Sequence, residues 1–190
     1  MLKEKATLYR KGFSYNGIFL SKEKEMLTIR PVTCEDLDAL TEIEAASFPP
    51  EEKATRESFE RRLAVFADCF LVACDNGRPV ALINGMVTNS RTIEDAMFAD
   101  AELHEPAGAW QSIFGFCALP SVRGKGVAPA LMRAFLEKAE RDGRRGVILT
   151  CKEALIGYYE QYGFVLRGRS ASEHGGAVWY DMERVFERGD

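Results

Sequence analysis

Histidine is nearly missing from this chain: His104 and His174 are the only 2 in 190 residues. Five cysteines (34, 69, 74, 117 and 151) never fall into a C-x-x-C spacing, so ligands at the intervals a structural zinc site needs are lacking. Their odd number, with most of them in apolar stretches, reads as buried thiols of a reducing compartment rather than as a disulfide framework. No apolar run approaches the roughly 18 residues of a membrane helix. Glu4, Tyr9, Arg10, Ser14 and Asn16 break up any N-terminal stretch of signal-peptide length. An excess of basic charge is absent too. Lys and Arg total 25 against 29 Asp and Glu, and the net charge of −4 has the wrong sign for a protein that works on nucleic acid. These absences predict a cytoplasmic protein with no metal, no membrane and no nucleic-acid partner. They leave room for a local basic pocket that takes a small polyanion.

What is present has ordinary globular proportions, 46% hydrophobic, 28% charged and 11% aromatic, in a length that suits one domain. Residues 1–25, with lysines at both ends and an aromatic middle, lack a sustained period and read as an extension with room for one short strand or helix. The domain proper is expected over 26–190. Leu27 to Val32 reads as a strand. A capping-box-like start at Thr33 opens a helix striped by Leu37, Leu40 and Ile43 and stopped by Pro49-Pro50. Thr55 opens a second helix, with Phe59, Leu63 and Phe66 on one face. Cys69 to Cys74 and Val80 to Val87 flank the turn Asp75-Asn76-Gly77 as a β-hairpin. The polar stretch 88–109 reads as a loop of the length that is either functional or disordered, with room for a short helix of its own. Gln111 to Leu119 is the next strand, followed by a helix striped by Leu131, Met132, Phe135, Leu136 and Ala139. Val147 to Cys151 is a buried strand and Ala154 to Tyr162 a short helix. Two last strands lie near Phe164–Arg169 and Ala177–Met182. The order β-α-α-β-β-β-α-β-α-β-β predicts an α/β (α+β) domain with a mixed sheet and helices on both faces.

The segment with most chemical content is Phe116-Cys117-Ala118-Leu119-Pro120-Ser121-Val122-Arg123-Gly124-Lys125-Gly126-Val127-Ala128. A strand enters a cationic, glycine-rich turn and a helix starts at once. Glycines let successive N–H groups converge, and the helix N-terminus adds partial positive charge, which together suit a pyrophosphate. Neither a Walker loop nor a G-x-G-x-x-G fingerprint is present. A basic solvated turn that happens to hold two glycines is the plain alternative.

Strand, then L-P-x-x-R-G-K-G-x-A, then helix resembles the acetyl-CoA loop of the GNAT N-acetyltransferases, written Q/R-x-x-G-x-G/A, with Arg123, Gly126 and Ala128 at the specified positions. A second block, LTCKEALIGYYEQYGF (149–164), is similar to the closing strand–helix–strand segment of that family. LHEPAG (103–108) and CKEALIGYYEQYGF (151–164) narrow the resemblance to the arylalkylamine (serotonin) N-acetyltransferase branch, over about residues 26–183. The resemblance implies a mostly antiparallel sheet and acetyl-CoA as cosubstrate. It implies that the amides of Arg123, Gly124, Lys125, Gly126, Val127 and Ala128 hold the pyrophosphate. Phe116, Cys117, Ala118 and Leu119 then pair with the pantetheine, and Tyr159 protonates the departing thiolate.

One departure matters. Where that branch has two histidines that relay the amine's proton, this chain has Ser112 and Phe114. Ser112, Phe114 and Phe116 are expected on one strand face by period two, with Ser112 kept as the catalytic position beside the amine. The proton must leave by another route, through water or through His104, His174, Glu153 or Glu102. A structural role is the plainer reading of His104, and a solvated loop residue that of His174. Cys151 reads as a packing thiol, so direct attack by the amine is expected rather than an acetyl-enzyme. The aromatic wall points to a small, apolar or aryl primary amine. Protein or peptide N-acetylation and a non-catalytic acyl-CoA sensor are the alternatives, and a homodimer is compatible with everything above.

Overall fold

The computed structural model describes residues 18–20 and 26–187. Expectations for residues 1–17 and 21–25 lie outside the described residues. The short element allowed for in the N-terminal extension is a strand, β1 (Ile18–Leu20), antiparallel to β2 (Met26–Pro31).

Among the described residues two five-stranded sheets form, not one. The first runs β1-β2-β3 (Phe70–Asp75)-β4 (Arg78–Asn84)-β7 (Gly115–Ala118), antiparallel throughout. The second has the order β5 (Val87–Thr88), β6 (Trp110–Ile113), β8 (Gly146–Cys151), β10 (Tyr180–Val185), β9 (Val165–Arg169). Its β6–β8 pair is parallel and its other pairs antiparallel. The expected single strand over 111–119 is therefore two, β6 and β7, hinged at Phe114. The expected strand over 80–87 likewise splits into β4 and β5 at Gly85-Met86. Each half of a split strand belongs to a different sheet.

The two breaks face each other. Ser112 donates its N–H to the Met86 carbonyl at 2.8 Å and Phe114 donates to Asn84 at 2.7 Å. Gln111 Nε2 adds a bond to the Gly85 carbonyl at 2.9 Å. A Cβ on Gly85 would stand 2.0 Å from the Ser112 carbonyl oxygen, so only glycine permits this approach. Across the hinge the inward period slips by one. Ile113 and Phe116 face the same core, although three positions apart, while Phe114 faces the other. The expectation that Ser112, Phe114 and Phe116 share a face is corrected by that slip, which is the signature of a bulge.

Helices cover both sides of the sheets. α4 (Val127–Arg141) lays Leu131, Met132, Phe135 and Leu136 on one core, with Lys138 and Arg141 in its last turn complementing the helix dipole. α5 (Ile156–Glu160) packs on the same side. α1 (Leu37–Ala45) and α2 (Arg56–Phe66) bury Leu40, Ile43, Phe59 and Phe66 in the other core. Thr55 caps α2 by accepting the Ser58 N–H at 3.1 Å. The stretch 88–109 does carry its own short helix; between α2 and α4 it is α3 (Asp95–Ala99). This stretch is tied down at two points. Arg91 reaches the buried Glu183 of β10 at 2.6 Å, and the Asp95 carboxylate accepts from the Ser172 hydroxyl and the Glu173 N–H.

Candidate active site

Because β6 stays with β8 up to the pair Ile113–Leu149 while β7 turns to β4, a gap opens between β7 and the end of β8. Among the described residues β7 pairs with β4 alone, so it is an edge. In an antiparallel ladder alternate residues turn their N–H and C=O away from the partner, here toward the gap. Phe116 to Leu119 lie along that edge, in the place expected for backbone pairing with an extended amide chain.

At the mouth of the gap the chain makes a short turn, Pro120–Val122, and enters α4. Val122 and Val127 are buried and anchor the turn, leaving Arg123, Gly124, Lys125 and Gly126 exposed. Gly124 (φ 75°) and Gly126 (φ 81°) take the left-handed backbone that turns the amides outward, and Gly126 is the N-cap of α4. Among the described residues the N–H groups of Gly124, Gly126, Val127 and Ala128 donate no backbone hydrogen bond across this turn. Four amides without a backbone partner at the N-terminus of a 15-residue helix make a cradle whose charge and direction suit a dianion. Gly126→Ala is expected to cost about 1 kcal/mol of stability from the left-handed φ alone, because a Cβ there meets nothing within 4 Å. The same tilt should weaken coenzyme A binding about tenfold, read by calorimetric titration against thermal unfolding. Unchanged affinity would remove the cradle from the binding site.

Deeper in, a cavity of about 170 Å³ lies where the gap meets α1, α2 and the loop 170–179. One wall holds Ile113, Leu149, Cys151 and Tyr159; the other is aromatic, with Phe48, Phe98, Phe114, His174 and Trp179. Phe116 also lines it and stacks near Tyr158 at 6.3 Å between centroids. A cavity of about 150 Å³ holds a benzene ring, so this one suits a single small apolar or aryl group.

Tyr159 is buried on α5 and packs edge-on against Tyr158 and Phe164. Among the described residues its hydroxyl has no hydrogen-bond partner, and the residue lines the cavity. Burial, with the neighbouring Cys151, Cys117 and Tyr162, pushes its phenol well above the ordinary value, so it stays protonated. Burial likewise pushes the Cys151 thiol up to about 11, keeping it a thiol at neutral pH. Its Sγ sits 3.6 Å from the Met182 sulfur.

Two charged side chains share this apolar place. Glu44 of α1 is 4% exposed and Arg62 of α2 is 6% exposed, and both line the cavity. The Glu44 carboxylate accepts the Ala54 N–H at 3.0 Å and lies 3.5 Å from the Cys117 thiol. Burial raises its pKa, with the Ala54 N–H, Arg62, Cys117 and His174 working against the rise. Arg62 donates to the Phe98 carbonyl at 3.0 Å and to Asn84 Oδ1 at 3.4 Å, and lies over the Phe114 ring. Burial pulls its pKa down to about 10, so it is still a cation at neutral pH.

Of the expected residues, Tyr159 and Phe116 meet at the cavity, and Arg123 to Ala128 sit at the mouth of the gap. Ser112 does not line the cavity. It is fully buried and its hydroxyl is spent on the Met86 carbonyl at 2.9 Å, because the hinge turns it into the β4–β6 contact. His174 is a cavity wall rather than a solvated loop residue. It stacks on Phe98 at 4.7 Å, and its Nε2 donates to the Glu52 carbonyl at 3.0 Å. Glu102 and Glu153 are exposed and away from the cavity. His104 accepts the Val87 N–H on Nδ1 at 3.1 Å and stacks on Phe66.

That hydrogen bond also decides a possible metal cluster. Asp68, Cys69 and His104 bring ligand atoms within 4.8 Å of one another. With Nδ1 accepting an N–H, the neutral ring carries its proton on Nε2, so neither nitrogen is left to ligate. Burial and Asp68 push the Cys69 thiol up to about 12, which opposes the thiolate a metal needs. Glu44 and Arg62 were not among the expected site residues, yet a signal existed. Both fall on the apolar stripes, Glu44 after Leu37 and Leu40, Arg62 between Phe59 and Phe66, where a charge has no structural reason to be.

A family profile described as "Acetyltransferase (GNAT) family" matches residues 37–164. No curated protein matches the chain in sequence. Among solved structures the fold is similar to that of the GphF GNAT-like decarboxylase in complex with isobutyryl-CoA. That match has 19% identity and a TM-score of 0.73, covering 83% of this chain and 98% of that one. It is similar to Ard1 from Thermoplasma volcanium, at 23% identity and TM-score 0.66, over 85% and 99% of the two chains. It is also similar to the ribosomal-protein-S18-alanine N-acetyltransferase from Escherichia coli, at 17% identity and TM-score 0.64, over 87% and 97%.

Proposed function

We propose, from the premise that this chain belongs to the GNAT acetyltransferase family and works as an acyltransferase on a coenzyme A thioester, that it moves acetyl directly to a small primary amine. The observation that carries the amine class is the cavity of about 170 Å³, aromatic on one wall and holding the Glu44 carboxylate. Its size admits one small apolar or aryl group, and the buried Glu44 carboxylate suits a cation. LHEPAG and CKEALIGYYEQYGF support placing the chain beside the arylalkylamine branch. Residues 26–190 are then the acetyltransferase domain, with 1–25 as an extension. Five free thiols favour a reducing, cytoplasmic setting.

In this reading the amides from Arg123 to Ala128 take the pyrophosphate and the open edge of β7 takes the pantetheine. The thioester then lies at the hinge between Phe114 and Phe116, with Tyr159 on the far side. Amine nitrogen attacks the carbonyl carbon, the C–S bond breaks, and the Tyr159 hydroxyl gives the sulfur its proton. Cys151 and Cys117, both held as thiols by burial, leave no ready nucleophile for an acetyl-enzyme.

Labelled acetyl-CoA offered with a panel of arylalkylamines, alkylamines and N-terminal peptides tests this. Transfer to one or more small amines, with peptides far behind, is expected. Peptides as the better acceptors would shift the substrate to protein N-termini. Tight binding of acetyl-CoA with no transfer to any acceptor would make the chain a sensor.

A further inference from the structure

With Ser112 turned away, His174 is the one side chain the sequence offered for the amine's proton that lines the cavity, and its Nε2 is held by the Glu52 carbonyl. A small alkylamine has a pKa near that of lysine, about 10, and arrives as an ammonium cation. We infer that Glu44 binds that ammonium in the cavity and takes one proton from it before attack. The inference rests on the acetyltransferase reading above.

Placement comes first. Glu44 Oε2 would stand 3.5 Å from a Cβ on Gly115, the first residue of β7. It therefore lies beside the hinge where the strands part, and glycine leaves the carboxylate open to that point. An ionised carboxylate has about four acceptor sites, and the Ala54 N–H and Cys117 thiol occupy two. Capacity for an ammonium is left over.

Charge comes second. The groups facing Glu44 are Arg62 from α2, Cys117 from β7 and His174 from the loop 170–179. Glu52 and Lys53 of the α1–α2 loop, Cys151 of β8 and Tyr159 of α5 complete the charged and titratable lining. Glu52 is engaged by Lys152 at 2.6 Å, so its charge is answered outside the cavity. Arg62 is held by Phe98 and Asn84, and among the described residues it forms no ion pair with Glu44. Glu44 thus feels a nearby cation without being capped by one. A buried carboxylate in that state is poised for a second cation, and its raised pKa suits a group that must both accept and release a proton.

The protons balance. R–NH3+ gives one proton to the Glu44 carboxylate and its nitrogen bonds to the thioester carbon. Tyr159 protonates the sulfur as the C–S bond breaks. The second amine proton restores the Tyr159 phenol through solvent, and Glu44 releases its own to solvent. The products are the amide, free thiol and one proton.

Glu44→Gln keeps size and can still accept the Ala54 N–H. At pH 7 it should lower kcat/KM for the amine about 10²–10³-fold, with the coenzyme A Kd within about twofold. Raising the pH toward the amine's own pKa should narrow the loss, because the free base needs no acceptor. Thermal unfolding gives an independent readout. Since burial lifts the folded pKa of Glu44 above its ordinary 4.5, the native form loses stability as pH rises through that folded value. The variant, with nothing to ionise there, should gain in relative Tm as the pH rises from 4.5 through that folded value. Undiminished transfer by a folded Glu44→Gln would overturn the assignment, as would a loss accompanied by an equal loss of Tm and coenzyme A binding. If the variant does not fold, the native pH profile decides. Two amines of different pKa should share one acid limb and then a plateau; a kcat/KM that climbs up to each amine's own pKa overturns it. Failure of every amine to be acetylated would instead remove the acetyltransferase reading.

Discussion

Tyr159→Phe should lower kcat by about 10²-fold or more while leaving coenzyme A affinity and thermal stability almost unchanged. General acid catalysis contributes about 10²–10⁴-fold, and a thiolate is a tolerable leaving group, which places the expected loss toward the lower end. The stability side follows from what the hydroxyl does not do. Among the described residues it holds no hydrogen bond, so its removal strands no partner, and the ring keeps its packing against Tyr158 and Phe164. A donor whose thiol is more acidic should be affected less, because its sulfur leaves without needing the proton. Steady-state kinetics with acetyl-CoA and with such a donor, beside a melting curve, check all three statements. Turnover unchanged across pH would take Tyr159 out of the mechanism. Its raised pKa keeps the phenol protonated throughout the working range and makes it a weaker acid, so the proton moves only as the C–S bond breaks and negative charge gathers on the sulfur.

The parts of this architecture that were readable from sequence are those whose signal is local. α4 announces itself through Leu131, Met132, Phe135 and Leu136 at helical spacing, and its cradle through two glycines that must adopt positive φ. Tyr159 is readable for a similar reason, since a short motif fixes both helix and position. The hinge at Phe114 has no such signal. Gln111 to Leu119 reads as one strand because each half is a good strand, and only the partner strands, β8 for one half and β4 for the other, pull them into separate sheets. Ser112 was misplaced by that same slip. Glu44 shows the opposite case. Its position on an apolar stripe was visible, but what makes it informative is the cavity beside it, which is assembled from α1, α2, β7 and a loop more than 120 residues away. His174 belongs with it: a glycine-flanked loop residue looks solvated until Phe98 and the Glu52 carbonyl are brought to it.

The hinge that escaped the sequence is also where the largest stability effect is expected. Gly85→Ala places a Cβ 2.0 Å from the Ser112 carbonyl oxygen, 2.5 Å from its carbon and 2.9 Å from its hydroxyl. Two of those three are backbone atoms, so no rotamer change relieves the overlap. Relief requires β4 and β6 to separate, which breaks the Ser112 N–H and hydroxyl bonds to Met86 and the Gln111 bond to Gly85 itself. Those groups are fully buried and would be left unsatisfied, at about 1–3 kcal/mol each. Three such losses come to about 3–9 kcal/mol, a large share of the roughly 5–15 kcal/mol that holds a domain of this size. The variant should therefore be mostly unfolded at 37 °C, or recovered only as insoluble chain. Gly157→Ala is the matched control. It sits in α5 with nothing within 4 Å of the added Cβ, and helix propensity makes it neutral to stabilising by about 0.5–1 kcal/mol. Urea unfolding of both variants separates a steric requirement at one glycine from a general intolerance of alanine. A Gly85→Ala protein as stable as the native one would mean that β4 and β6 can part without cost, and the divergence of the two sheets would lose its structural cause.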